Sequence, residues 1–175
     1  NNKPHNAFTF SYVNGDCGSR LTDANFAFQR GPTGSATCDQ VHNLGEVWSS
    51  ILWEVRSRYV SRLGWAVGNR RFLQFVTDGM KLAPLSPNFV QERDAILAAA
   101  QASLPGPQAS PDVADVWEGF RIRGMGYSAA VNNIGTGTGT AVVTEAFDAP
   151  NLQQNPYITV SDTVGDNDGF PEPGE

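Results

Sequence analysis

The stretch Thr37-Cys-Asp-Gln-Val-His-Asn-Leu-Gly-Glu-Val-Trp-Ser-Ser-Ile-Leu-Trp-Glu-Val-Arg-Ser-Arg-Tyr-Val-Ser-Arg-Leu63 decides how this chain folds. From Val41 onward the apolar residues return at Leu44, Trp48, Ile51, Leu52, Val55, Tyr59 and Leu63, a three-and-four spacing that lines one side of an α-helix. Thr37 and Gln40 stand at capping-box spacing ahead of the run, so the helix is expected to open at Thr37 and to stop at Gly64.

Working outward, Phe72, Phe75, Val76, Met80 and Leu82 predict a second helix over Arg70 to Leu82, broken by Pro84 and Pro87. A third helix follows Asn88, a good cap, and runs to about Ser103. Leu104 to Pro111 contains three prolines and a glycine and reads as a loop. Pro111 and Asp112 then open a fourth helix through Trp117 and Phe120, ended by Gly124 to Gly126. Beyond it come a Gly/Thr-rich run, Gly135 to Thr140, a short β-like run, Ala141 to Thr144, and an acidic, Pro-rich end. Upstream, Phe8, Phe10 and Tyr12 alternate before Asn14-Gly15 and a long polar loop. The expected fold is therefore mainly α, in three parts: an irregular lead-in over 1–36, a helical lobe over 37–130, and a linker or the start of a following module over 131–175. No internal repeat is evident.

With 175 residues, 40% of them hydrophobic, the chain can bury one sizeable core. Its net charge of −6, with no Lys/Arg cluster, argues against nucleic acid as a partner. No apolar run reaches the roughly 18 residues a membrane helix needs. The first residues lack a basic-then-apolar signal, so the chain is expected to be soluble and already trimmed. Cys17 and Cys38 bracket a polar stretch. A disulfide between them closes a loop of about 20 residues, is worth about 3 kcal/mol, and suits an oxidising compartment; two buried free thiols are the other reading.

Few residues offer chemistry. Neither His5 nor His42 is followed by the Glu-x-x-His that sets two zinc ligands and a base on one helical face. His5 reads as a solvated loop residue. His42 lies beside the apolar stripe of the first helix with Glu46 four residues on, an arrangement open to three readings. They are a surface His–Glu hydrogen bond, part of a metal site lacking a third ligand, or a donor to an oxygen that gains charge during a reaction. Ser49 and Ser50 lie near His42, but no Gly-x-Ser-x-Gly elbow surrounds them, and helical serines usually bond their own backbone. Arg56, Arg58, Arg62, Arg70 and Arg71 read as a solvated face or as interdomain ion pairs. Trp48, Trp53, Trp65 and Trp117 read as core or partial-core anchors. Asp162 to Glu172 spaces oxygen ligands closely but departs from the EF-hand pattern, leaving calcium as a weaker reading than solvated linker.

Val41-His-Asn-Leu-Gly-Glu-Val-Trp48 resembles the His-x-x-Gly-Glu-Val-Trp segment of fungalysin-type metallopeptidases. The likeness continues through Leu52-Trp-Glu54, Gly68-Asn69, Val76-Thr-Asp-Gly79, Pro87-Asn-Phe89, Arg93-Asp-Ala-Ile96 and Arg123-Gly-Met-Gly126, spanning residues 6 to 130. The resemblance implies a thermolysin-like fold of which this chain is the helical C-terminal lobe. It implies a secreted zinc endopeptidase whose metal ligands and general base, in His-Glu-x-x-His and Gly-Glu-Gly-Trp-Ser-Asp segments, lie upstream of Asn1, so that no metal ligand is expected in this chain. Zinc is then the cofactor, and the partners are that upstream lobe and a peptide or protein substrate. His42 matches the histidine that stabilises the oxyanion in thermolysin-like enzymes. Asp39 is the candidate to orient it, at a spacing that departs from the thermolysin pattern, and Glu46 belongs to the signature without an assigned role. The alternative is a non-catalytic helical binding module derived from the same lobe.

Overall fold

Helix α1 (Val41–Leu63) turns Val47, Ile51, Val55 and Tyr59 inward, the apolar face its spacing predicts. In this computed structural model, which describes residues 8–15, 37–103, 111–134 and 138–150, three further helices follow it. They are α2 (Trp65–Leu82), α3 (Phe89–Ala102) and α4 (Pro111–Arg121). No helix among the described residues is long and apolar enough to cross a membrane.

Two helix starts differ from expectation. Thr37 does not open α1: Gln40 caps it, its side chain accepting the His42 N–H at 2.8 Å. The reason lies one residue upstream, where Asp39 is held by backbone far along the chain and keeps residues 37–40 out of the helix. The second helix begins at Trp65 rather than Arg70. Gly64, at φ 77°, reverses the chain within one residue, so α1 and α2 meet without a loop. The first turn of α2 is exposed, Trp65 at 65% and Val67 at 55%, and so shows no buried periodicity. Helix α3 follows its expectation: Asn88 Oδ1 accepts the Gln91 N–H at 3.0 Å and Gln91 Oε1 accepts the Asn88 N–H at 3.0 Å.

The helices pack closely because glycine lies where they cross. A Cβ on Gly119 of α4 would fall 2.6 Å from Val55 Cα of α1, and one on Gly68 of α2 would fall 2.3 Å from the Tyr59 carbonyl oxygen. The aromatics of the lead-in join this core: Phe8 and Phe10 are buried, and a 3-10 helix over Phe10–Val13 replaces the irregular segment that their alternation implied. Strand β1 (Ala130–Asn133) pairs antiparallel with β2 (Val142–Thr144), placing Ala130 opposite Thr144. The β-like run near 141–144 thus forms its strand, with a partner the sequence did not announce.

Of the helix arginines singled out above, Arg58, Arg62 and Arg71 tie helices together rather than forming a solvated face. Arg62 reaches Asp112 at 2.5 Å and Asp115 at 2.6 Å, Arg71 reaches Asp112 at 2.8 Å, and Arg58 reaches Glu118 at 3.2 Å, all joining α1 or α2 to α4. Arg123 is buried, pairs with Glu54, and donates to the Phe8 carbonyl at 2.9 Å. The tryptophans divide. Trp48 and Trp117 pack against the core. Trp53 and Trp65 are exposed at 49% and 65% and instead flank the Arg56 guanidinium, 4.3 and 4.5 Å from their ring centres.

Candidate active site

His42 stands in the first turn of α1 with its side chain exposed. Gln40 does two things there. Its Oε1 accepts the His42 backbone N–H at 2.8 Å, which caps the helix, and its Nε2 lies 2.9 Å from the His42 Nδ1. Gln40 Oε1 also lies 3.2 Å from Nδ1, so the amide meets that nitrogen in either tautomer and holds the Nδ1 edge of the ring. Nε2, the other ring nitrogen, takes no part in these contacts.

Asp39 takes a different position from the one its sequence neighbourhood implied. It is fully buried, and its carboxylate accepts the backbone N–H groups of Gly139, Thr140 and Ala141 at 3.0, 3.1 and 3.2 Å. Burial works to raise its pKa, but these donors and the Thr37 hydroxyl outweigh it and hold the carboxyl below its usual range. The partner the structure gives the His42 ring is Gln40, so Asp39 bears on the site by fixing the backbone that leads into α1. Glu46 is half-buried on the same side of the helix, and no hydrogen bond joins it to His42. Ser50 donates to the Glu46 carbonyl at 2.8 Å, the backbone bond expected of a helical serine.

Beside this end of α1 runs a groove of about 270 Å³, lined by Leu44, Gly45, Trp48, Pro87, Asn88, Phe89 and Glu92. Trp48 and Phe89 meet edge to face, their ring centres 5.7 Å apart. Glu92 Oε1 is buried and has no hydrogen-bond partner, and burial pushes the carboxyl pKa up. Sequence reading missed both Glu92 and the part played by Gln40. Glu92 has no motif around it, and Gln40 drew notice only for its capping spacing.

Among the described residues no three His, Cys, Asp or Glu side chains gather so as to hold a metal ion. The surroundings of His42, an amide and solvent, do not form a zinc ligand set. Cys38 is not a free thiol. His5, Cys17 and the acidic segment Asp162 to Glu172 lie outside the described residues.

An extracellular metalloproteinase of Aspergillus niger is 32% identical over 75% of this chain, and the chain spans 24% of its length. One from Pyricularia oryzae is 36% identical over 53% of the chain, corresponding to 16% of the relative. Extracellular metalloproteinase 3 of Trichophyton soudanense is 34% identical over 51% of the chain and 25% of its own length. These relatives place the chain among metallopeptidases by sequence. The fungalysin metallopeptidase (M36) model matches residues 18–129, and the chain belongs to that family.

Proposed function

We propose that this chain is the lower, C-terminal lobe of a secreted zinc endopeptidase, and that His42 is the residue it contributes to the reaction. Zinc, held by an upstream part, supplies the Lewis-acid and water-activating chemistry of such enzymes. The observation that carries the reading is the exposed imidazole held on its Nδ1 edge by Gln40, which leaves Nε2 as the atom to donate. Such a donor stabilises the negative oxygen of a tetrahedral intermediate, an effect worth about 3 kcal/mol in a well-placed case. Glu46, beside it, lines the cleft.

Residues 37–130 form the lobe in this reading, 1–36 its lead-in, and 131–175 the connection to whatever follows. A bridge from Cys38 to Cys17, the one other cysteine of the chain, secures the lead-in and agrees with an extracellular setting. Isolated from its zinc-bearing partner lobe, the chain is inactive.

The test is kinetic. A polypeptide extended upstream to include the His-Glu-x-x-His segment is assayed on peptides with and without His42→Ala. The variant should lose about a hundredfold in kcat with KM little altered. Unchanged turnover removes His42 from the reaction and leaves the lobe as a helical interaction module.

A further inference from the structure

Glu92 occupies a costly position. Leaving a buried polar oxygen unpaired is unfavourable, the more so when the group is charged. Its Oε1 is in that state, while its neighbour Arg93 is committed to the Met125 and Gly126 carbonyls and to Asp94. A carboxyl group perturbed by burial and facing a groove points to a ligand that completes it.

The groove states what that ligand looks like. Its walls are the apolar faces of Leu44, Trp48, Pro87 and Phe89, and its volume of about 270 Å³ is that of a slot for one long side chain. Gly45, three residues along α1 from His42, lines the slot, and nothing lies within 4 Å of where its Cβ would stand, so the slot is open beside it. A lysine or arginine side chain matches both features. Its methylene stem lies on Trp48 and Phe89, and its cationic head reaches Glu92 in a charge-assisted hydrogen bond.

We propose that the α1–α3 groove is a subsite for a basic side chain of the peptide substrate, with Glu92 its specificity-determining residue. The proposal rests on the reading that the peptide lies along the His42 end of α1.

The 175-residue chain is titrated with Nα-acetyl-lysine methylamide and with its norleucine counterpart, and the Trp48 indole N–H resonance is followed by NMR. The lysine compound should bind saturably and about tenfold more tightly than the norleucine one. Glu92→Gln, nearly isosteric, should erase that difference. Equal binding of the two compounds by the unaltered chain overturns the subsite without recourse to any variant, as does lysine binding that Glu92→Gln leaves unchanged. The readout needs no catalysis. Loss of the lysine preference alongside a clear His42→Ala defect removes only the subsite, whereas a lysine preference without any His42→Ala defect removes the peptidase cleft.

Discussion

The Tyr59 hydroxyl of α1 donates to the backbone carbonyl of Asp112 in α4 at 2.9 Å, inside the core. The Asp112 side chain in turn receives Arg62 and Arg71, so one short segment gathers three helices. Burial first, and then the nearby Asp112 and Asp115 charges, push the Tyr59 pKa well above its ordinary value.

Tyr59→Phe should therefore destabilise the fold by about 1 kcal/mol, the net worth of one buried hydrogen bond. The pH dependence has a definite sign. A raised folded-state pKa means the stabilisation is complete below about pH 10 and declines above it, as the unfolded tyrosine ionises first. Melting temperatures from pH 8 to 11 should fall more steeply for the parent chain than for Tyr59→Phe.

Asp39 has the opposite sign. Its carboxyl titrates below the usual range, so its contribution is complete above about pH 4 and is lost as acid protonates the folded form. Asp39→Asn should cost about 2–3 kcal/mol at neutral pH and flatten the acid limb of the stability curve. Hydrogen exchange at the amides of Gly139, Thr140 and Ala141 should accelerate with it, because those are the groups the carboxylate protects.

Gln40→Ala removes a helix cap and the hold on Nδ1 together. The cap is worth about 1 kcal/mol and will show in denaturant midpoints. On the oxyanion role proposed for His42, kcat of the polypeptide extended upstream should drop about tenfold with KM nearly constant, because a loosened imidazole misplaces its donor in the transition state alone. A purely structural cap would leave kcat per folded molecule unchanged.

Two glycines of the helices should respond in opposite directions. Gly119→Ala drives a Cβ to 2.6 Å from the Val55 backbone and should cost about 3 kcal/mol or prevent folding. Gly45→Ala meets open space in a helix and should stabilise by about 0.5–1 kcal/mol. Thermal unfolding of the two variants gives the comparison directly.

The helices were legible because burial in α1, α3 and α4 follows a local period, and Asn88 announces its helix through a bond to a residue three positions away. What escaped is non-local. The first turn of α2 faces solvent and leaves no period to read. Strand β1 is a strand because β2 returns beside it, while Ala130-Val-Asn-Asn133 shows no alternation of its own. Of the site, His42 stood out only through its likeness to a family, since spacing alone left a surface hydrogen bond as good a reading. Glu92 became visible once the fold put it in one groove with Leu44 and Trp48, and the role of Asp39 once Gly139 to Ala141 came back to meet it.

That return has a kinetic meaning. The α1–α2 and α2–α3 pairings join neighbours in sequence and can form early, whereas the Asp39 clamp on Gly139 spans 100 positions. During synthesis from the N-terminus, the residues that fix the entry to α1 emerge from the ribosome long after the helix itself. The end of α1 that carries His42 is thus completed late, after the helices behind it have assembled.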